Sequence, residues 1–313
     1  MSVVQPLCIV KVLVFNQEQY VEDCLKGLVT QQTTFPFVAV VHDDASTDNS
    51  AAIIKRYAEQ YPEVIHPIIE KENLWSKHDG SLNRIMETEC TKAKYIAFCE
   101  GDDYWTDPYK LQKQINYLES HPECALCHTG VSVRRGEDIE MRPSPTFRND
   151  MLEDLLLNNK IATVSVVMKS DVRKAVAGFT REIMGKVAEK LLFGDHNAWL
   201  YAAYIGEIHY LPESTAVYRI SDGSVTRQGN LKKGYLFDVQ SFLMRDLFYN
   251  YLKTSYKFSP EFDNDFHEFM FHSRKSMIKL YGINIAYPQI WELLNLIPYY
   301  PMIISRWLKR LRK

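Results

Sequence analysis

Two groups of acidic residues have the types and spacing that could do chemistry. Asp43 and Asp44 are adjacent in the segment VVHDDAS, and the segment EGDD contains Glu100, Asp102 and Asp103. Carboxylates crowded in one place repel each other and raise each other's pKa. A divalent cation such as Mg²⁺ or Mn²⁺ prefers carboxylate and phosphate oxygens and would remove that repulsion. EGDD therefore predicts a metal site that would bind a diphosphate. On spacing alone, a solvated acidic turn is an equally good interpretation.

The first acidic pair is ambiguous in a similar way. A carboxylate at the end of a strand can accept a hydrogen bond from the imide N–H of uracil or thymine, or from ribose hydroxyls. It can also begin a turn, and residues 46–48, Ser-Thr-Asp, are typical of turns and helix caps. Taken alone, VVHDDAS favours the turn.

The elements that must position these acids alternate between strand and helix. Near-continuous apolar runs predict buried strands, and helically spaced apolar residues predict the helices between them. The predicted strands are 7–15, 37–41, 64–69 and 95–99, and the predicted helices begin near 20, 48, 82 and 108. This alternation predicts βαβ units and a mostly parallel sheet. Because ligands bind at the carboxyl ends of such strands, both acidic groups are expected at one edge of the sheet.

The order of these motifs from Val10 to Leu118 resembles the catalytic domain of family 2 inverting glycosyltransferases, which have the GT-A fold. The matching segments are VLVFNQEQYVEDCL (12–25), VVHDDASTDNS (40–50), EN (72–73), Asn83, KYIAFCEGDDYW (94–105) and DPYKLQKQ (107–114). The resemblance implies an α/β fold with a mostly parallel central sheet flanked by helices.

The domain organisation predicted with this resemblance has two parts. A GT-A catalytic domain would cover residues 1–230, with a nucleotide-binding half at 1–120 and an acceptor-binding half at 121–230. Residues 231–313 lie outside the resemblance, and their amphipathic and aromatic-rich pattern predicts a helical C-terminal extension.

The resemblance also implies a role for individual residues. The nucleotide would be held by the loop after the first strand and by the acids that face it, namely Leu13, Phe15, Asn16, Asp43, Asp44, Asn83 and Asp102. Among these, Asp44 would contact the base and Asp43 would support its turn. The candidate ligands of a Mn²⁺ or Mg²⁺ ion are Asp103, Asp102 and Glu100, and Glu100 replaces a more usual aspartate.

Inverting transfer needs a carboxylate that deprotonates the acceptor hydroxyl. The segment FGDHNAW (193–199) resembles the family's loop before a helix, so Asp195 is the predicted general base; its structural alternative is a helix N-cap. Arg219 is a candidate diphosphate contact, with a surface ion pair as the alternative. Ser221 stands where the family often has histidine, so a metal contact is not expected there.

The predicted reaction moves a sugar from a nucleotide diphosphate donor to a glycan or a lipid-linked acceptor. Uracil is the favoured base, with thymine and guanine left open, as are the sugar and the oligomeric state. A nucleotidyltransferase is disfavoured because the loop FNQEQY has neither glycine nor lysine to hold a triphosphate. A non-catalytic nucleotide-sugar binder stays open because of Glu100 and Ser221.

Composition sets the predicted environment. The 313 residues carry a formal net charge of -2, which predicts no nucleic-acid partner. The six cysteines favour buried thiols in a reducing compartment over a zinc site at Cys124 and Cys127. No apolar run reaches the ~20 residues of a membrane span, and no secretory signal is recognised, so a cytoplasmic location is predicted. The basic, aromatic segment 297–313 predicts either peripheral contact with the inner membrane face or a packed helix.

Overall fold

The computed structural model describes residues 5–77, 79–147, 150–185, 194–220 and 231–281. The chain divides into two compact units. The larger unit contains Met1–Val176 and Asp195–Ser224, and the smaller unit contains Ala177–Gly194 and Val225–Lys313. The larger unit carries both acidic groups and is an α/β structure.

The described residues of the larger unit form one sheet with the order β3-β2-β1-β4-β8-β6-β9-β5, and β7 pairs with β6. The strands are β1 Cys8–Val14, β2 Phe37–Asp43, β3 Ile65–Ile69, β4 Tyr95–Glu100, β5 Tyr104–Trp105, β6 Cys124–Arg135, β7 Asp138–Met141, β8 Val167–Lys169 and β9 Glu207–Arg219. The first four strands are parallel, as predicted from the alternation of strands and helices. Strand β8 runs antiparallel to β4 and β6.

Helices connect these strands and continue into the smaller unit. They are α1 Val21–Val29, α2 Ser50–Gln60, α3 Ser81–Cys90, α4 Lys110–Ser120, α5 Met151–Leu157, α6 Ser170–Met184, α7 Asp195–Ile205, α8 Leu231–Leu252 and α9 Pro260–Tyr281. Helix α1 packs unusually close to β5. A Cβ atom on Gly27 would lie 2.7 Å from the carbonyl oxygen of Trp105, so this position requires glycine.

The core of the larger unit lies around β1, β2 and β4, whose side chains are buried on both faces. That burial explains why these strands read as continuous apolar runs in the sequence. All six cysteines are free and buried, and Cys124 and Cys127 lie on β6. Over the described residues, no group of three or more His, Cys, Asp or Glu residues could hold a metal by itself.

In the smaller unit, α8 and α9 pack through aromatic rings. Tyr249 of α8 stacks on Phe266 of α9 with ring centroids 4.4 Å apart. None of the helices in the described part of the chain is long and apolar enough to cross a membrane. Residues 297–313, for which membrane contact was predicted, lie outside the described residues.

Candidate active site

The loops that follow β1 and β2 are joined at their tips. The backbone N–H of Asn16 donates to Ser46 Oγ (2.9 Å), and the N–H of Thr47 donates to Asn16 Oδ1 (2.8 Å). Asn16 and Ala45 both have left-handed φ angles, 52° and 60°. Asparagine tolerates that region better than most residues, so Asn16 suits its position, whereas Ala45 adopts a conformation that is uncommon for alanine.

A second set of bonds joins the same loops one step further along. The N–H of Glu18 donates to Asp48 Oδ2 (3.0 Å), and in return the N–H of Asn49 donates to Glu18 Oε2 (2.9 Å). The N–H of Gln17 donates to Ser50 Oγ (2.9 Å) at the start of α2. The two loops therefore form one hydrogen-bonded unit, which we call the paired loops (residues 15–18 and 44–50).

Asp43 and Asp44 lie inside this arrangement and both are buried. Asp43 Oδ2 accepts the N–H of Ser46 (3.0 Å), as a turn-forming carboxylate should. Asp44 accepts two backbone N–H groups, from Leu74 at 2.7 Å and from Trp75 at 2.9 Å. The Asp44 carboxylate is thus held firmly, and each of its oxygens has a further lone pair for a ligand.

Strand β1 brings the two acidic groups to one edge of the sheet. Leu13 pairs with His42 of β2 on one side and with Glu100 of β4 on the other. The carbonyl of Leu13 accepts the N–H of Gly101 (3.0 Å). A Cβ on Gly101 would lie 2.3 Å from Gln17 Oε1, so glycine lets β4 end directly against the paired loops.

The EGDD carboxylates are crowded and poorly solvated. Burial raises the pKa of Glu100 to about 7, and the charges of Asp102 and Asp195 add to that effect. Burial raises the pKa of Asp102, and it raises the pKa of Asp103 well above its usual range, with further repulsion from Asp102. The charged forms of these three carboxylates are therefore unfavourable by themselves. A bound divalent cation would stabilise them.

Arg219 closes the other side of this cluster. Its backbone N–H donates to Asp103 Oδ1 (2.7 Å), and its guanidinium donates to the carbonyl of Asp102 (2.9 Å) and to Asp23 Oδ2 (2.9 Å). The guanidinium also lies over the rings of Tyr20 (4.6 Å) and Tyr104 (5.1 Å). Arg219 is buried, and it forms an ion pair with Asp23, whose side chain is 42% exposed, so the ion pair given as the alternative is present.

Asp195 is the first residue of α7 and is partly buried. Its Oδ2 accepts the hydroxyl of Thr163 (3.1 Å), and its Oδ1 accepts the backbone N–H of His196 (2.7 Å). Its charge raises the pKa of Glu100, so the two carboxylates lie within electrostatic range of each other. The ring of His196 forms a hydrogen bond with the carbonyl of Leu155 (2.8 Å). This contact indicates a structural role for His196.

The remaining predicted residues occupy different environments. The side chain of Phe15 is 47% exposed beside the paired loops, whereas Leu13 is half-buried within β1. Asn83 is exposed near the start of α3, with no contact that ties it to the carboxylates. Ser221 lies outside the described residues.

Sequence reasoning missed two residues that affect this site, Thr163 and Lys11. Thr163 orients Asp195. Asn73, from the matching segment EN, donates to the carbonyl of Asp44 (3.1 Å). The charge of Lys11 lowers the pKa of Glu100 against the effect of burial. Lys11 had a detectable signal, because it is a lone cation within the otherwise apolar run of β1. Thr163 gave no comparable signal.

Comparison with known proteins identifies the family. Residues 9–175, just over half of the chain, match the model described as glycosyl transferase family 2. An uncharacterized protein from Mycobacterium tuberculosis is 36% identical over 208 residues, which cover 66% of this chain and 56% of that protein. This chain thus spans little more than half the length of that relative. The amylovoran biosynthesis glycosyltransferase AmsE of Erwinia amylovora is 25% identical over 224 residues, which cover 70% of this chain and 78% of AmsE.

Solved structures share the fold at low identity. A mannosyltransferase from Pyrobaculum calidifontis, solved with GDP-Man and Mn²⁺, aligns with a TM-score of 0.55 and 17% identity over 96% of this chain and 82% of that one. TarS of S. aureus, solved with UDP-GlcNAc, aligns with a TM-score of 0.51 and 15% identity over 90% of this chain and 91% of that one. The chain therefore belongs to glycosyl transferase family 2 and has the GT-A fold, with a helical C-terminal part.

Proposed function

We propose that this protein transfers a sugar from a nucleotide diphosphate donor, UDP in preference, to a hydroxyl of a glycan or lipid-linked acceptor, with inversion at the anomeric carbon. The observation that carries the proposal is the convergence of three carboxylate groups. Asp44 and the EGDD cluster flank the end of β1, and the charge of Asp195 acts on Glu100. Acids from three separate segments thus face one edge of the sheet, where such sheets bind ligands.

The paired loops are proposed to hold the nucleoside. Asp44 is fixed by two backbone N–H donors and keeps lone pairs that can accept a base N–H. The exposed ring of Phe15 gives a flat apolar surface beside it, against which a base can stack. This arrangement suits a base with an N–H at its edge, and uracil is the base that we propose.

We propose that the EGDD carboxylates contribute ligands to a divalent cation, since no group of three among the described residues could bind one alone. Mg²⁺ and Mn²⁺ commonly use one or two carboxylates together with substrate phosphates instead of an all-protein cage. Asp103, Asp102 and Glu100 would supply these ligands. Burial raises the pKa of all three, and repulsion between carboxylates adds to the shift for Glu100 and Asp103, so a cation would stabilise their charged forms. When bound, the ion supplies Lewis-acid stabilisation of the departing diphosphate.

Asp195 is proposed as the general base. Its carboxylate would accept the proton of the acceptor hydroxyl as the acceptor oxygen bonds to the anomeric carbon and the bond from that carbon to the diphosphate breaks. Thr163 and the backbone of His196 hold the carboxylate in one orientation. Arg219, which lies against Asp102 and Asp103, keeps that side of the cluster rigid.

The acceptor class and the cellular setting are proposed from similarity and composition. AmsE is named as a glycosyltransferase of amylovoran biosynthesis, which supports assembly of a polysaccharide as the setting. We propose a cytoplasmic location, with residues 297–313 as a peripheral contact to the inner membrane face. Flotation with anionic vesicles tests the contact, because equal flotation with and without residues 297–313 would exclude it.

A comparison of Asp195→Asn with Asp138→Asn tests the proposed function. Asp138 is an exposed residue of β7 and serves as the matched control. With UDP-sugars and Mn²⁺, Asp195→Asn should lower turnover by roughly 10²- to 10⁴-fold, the usual contribution of a general base. Calorimetric affinity for UDP and Mn²⁺ should not change in either variant. Loss of UDP affinity in Asp195→Asn, or normal turnover, would contradict the role assigned to Asp195.

A further inference from the structure

A buried lysine that the proposed mechanism does not use lies at the start of α4. Lys110 is the first residue of that helix, and its side chain has no exposed surface. Its ammonium donates to Gln114 Oε1 (2.6 Å) and to the carbonyl of Ser165 (3.4 Å), and it lies 4.5 Å from the centre of the Trp105 ring. None of these partners is a carboxylate, and Lys110 forms no ion pair within the described part of the chain.

An ammonium in this environment is costly. Burial lowers the pKa of Lys110 to about 8, and a buried charge without an opposite partner usually destabilises a fold. Burial also raises the pKa of the neighbouring thiols of Cys8 and Cys127 to about 12. These thiols are therefore neutral near pH 7 and do not offset the charge. Strongly perturbed groups of this kind are concentrated at functional sites, and the contacts of Lys110 lead to one.

The carbonyl of Ser165 belongs to a short turn, residues 162–166, which we call the support turn. Two backbone hydrogen bonds close this turn, with lengths of 3.0 and 3.1 Å. The hydroxyl of Thr163, within the turn, donates to Asp195 Oδ2 (3.1 Å). The support turn therefore carries the side chain that orients the proposed base.

Three side chains from the segment that follows EGDD hold the support turn by its carbonyl oxygens. Gln114 Nε2 donates to the carbonyl of Ser165 (2.9 Å), and Trp105 Nε1 donates to that of Val164 (3.0 Å). Lys110 joins the two, because its ammonium contacts both the amide oxygen of Gln114 and the ring of Trp105. All three side chains are buried, so water does not compete for these bonds.

One continuous segment, residues 100–114, therefore serves both groups of the proposed mechanism. It begins with the EGDD carboxylates and ends with the side chains that hold the support turn. Transfer requires the base, the acceptor hydroxyl and the donor to be aligned, and a misplacement of about 1 Å can lower a rate by about 100-fold. A rigid connection between the EGDD cluster and Asp195 therefore matters for turnover.

We propose that Lys110 is a positioning residue for the general base. Its ammonium holds Gln114 and Trp105 against the support turn. The support turn holds the hydroxyl of Thr163 on Asp195. The inference rests on the proposed function, because it takes Asp195 as the base. It differs from a general contribution to folding, because the effect of Lys110 should reach Asp195 and leave the parallel strands of the sheet unchanged.

Two substitutions on α4 compare the buried lysine with an exposed one. Lys110→Met removes the ammonium and keeps an unbranched side chain. Lys113→Met is the matched control, since it removes an exposed ammonium that pairs with Asp107 on the same helix. Folding of each variant is judged by circular dichroism. If Lys110→Met does not fold, Trp105→Phe takes its place with the same expectations, because it removes the donor to Val164 and keeps an aromatic ring.

Hydrogen exchange followed by mass spectrometry tests the connection without any substrate. The N–H of His196 donates to Asp195 Oδ1 (2.7 Å), so its exchange reports whether Asp195 keeps its position. Lys110→Met should speed exchange by about tenfold in peptides covering 163–167 and 195–198, as expected when hydrogen bonds are lost. Exchange in β1 and β2 should not change, and Lys113→Met should match the wild type. Faster exchange in the support turn alone, or equally faster exchange in β1 and β2, would overturn the inference.

Turnover provides the second readout, measured as kcat and KM for release of UDP from UDP-glucose, UDP-galactose and UDP-GlcNAc with Mn²⁺. We expect kcat to fall by about tenfold in Lys110→Met and in Thr163→Val, with KM unchanged. The double variant should be no slower than Thr163→Val, because both changes act through the same bond to Asp195. Losses that multiply in the double variant, or wild-type kcat in Lys110→Met, would overturn the inference.

Asp195→Asn, assayed in parallel, separates this inference from the proposed function. Slow turnover in Asp195→Asn together with wild-type kcat in Lys110→Met would refute the positioning role and leave the proposed function in place. Full turnover in Asp195→Asn would refute the base itself. If the wild type releases no UDP from any of the three donors, the proposed donor is wrong, and the exchange pattern alone decides whether Lys110 positions Asp195.

Discussion

Replacement of His128 by phenylalanine should change how the stability of the protein depends on pH. Burial, reinforced by the charge of His209, lowers the pKa of His128 from 6.5 to about 3. Between those two values the unfolded chain binds a proton that the folded protein does not. The free energy of unfolding of the wild type therefore falls as the pH falls below the unfolded pKa.

The size of this effect follows from the two pKa values. At about pH 4.5 the unfolded histidine lies two pH units below its pKa, and each unit corresponds to about 1.4 kcal/mol. The wild type should therefore lose about 3 kcal/mol through His128 between about pH 7.5 and pH 4.5. His128→Phe lacks this loss. At about pH 7.5 it should be as stable as the wild type or up to about 1 kcal/mol more stable, because it removes a buried nitrogen without a partner.

Urea unfolding followed by tryptophan fluorescence measures both quantities. Tyr210→Phe is the matched control, since it alters a ring that packs against His128 but keeps the imidazole, and it should follow the pH dependence of the wild type. Equal losses for wild type and His128→Phe on acidification would refute the reasoning, because His128 would then be protonated in the folded protein.

Three further substitutions test the supports of the site. Gly27→Ala should lower the free energy of unfolding by about 1–3 kcal/mol, because the new Cβ meets the Trp105 backbone at 2.7 Å; a higher urea midpoint would contradict this. Asp44→Ala should lower the free energy of unfolding by at least about 2 kcal/mol, because it leaves the N–H groups of Leu74 and Trp75 unpaired. It should also weaken UDP binding, and an unchanged UDP affinity in calorimetry would exclude the proposed nucleotide role of Asp44. Arg219→Gln should lower the free energy of unfolding by about 2–3 kcal/mol, because it removes charge-assisted hydrogen bonds. Substitution of the exposed Arg142 by Gln is the control and should have little effect. Equal urea midpoints for the two variants would refute the role of Arg219.

The parallel half of the sheet was predictable because the residues within each strand already show that the strand is buried. Strands β1, β2 and β4 are covered on both faces, so each is an apolar run in the sequence, and acids follow β2 and β4. Because parallel strands end at the same edge of a sheet, the two acidic groups lie at one edge, on either side of the end of β1.

The rest of the sheet was harder to predict because long-range contacts determine it. Residues 163–165 form a helical turn, and within the apolar stretch that follows only Val167–Lys169 pair with β4 and β6. That turn is held by the carbonyl of Ala162, which accepts the N–H and hydroxyl of Ser165. Strand β9 is a single strand whose register against β6 is interrupted near Gly130. Tertiary pairing of this kind overrides local propensity.

The candidate site shows the same division. The acids themselves were visible in the sequence, but the groups that hold them were not. Thr163 and Leu74 act through a hydroxyl and a backbone N–H that any loop could supply. Nothing in the residue types distinguishes those that meet Asp44 or Asp195 from those that face water.

The reciprocal bonds between the loops after β1 and β2 have a consequence for evolution and for engineering. Glu18 and Asn49 each depend on the other loop, and so do Asn16 and Thr47. A graft of one loop from a relative would break these bonds unless its counterpart were exchanged with it. Substitutions across this junction should therefore be strongly non-additive, and a lineage that replaces one of these loops must alter the other with it.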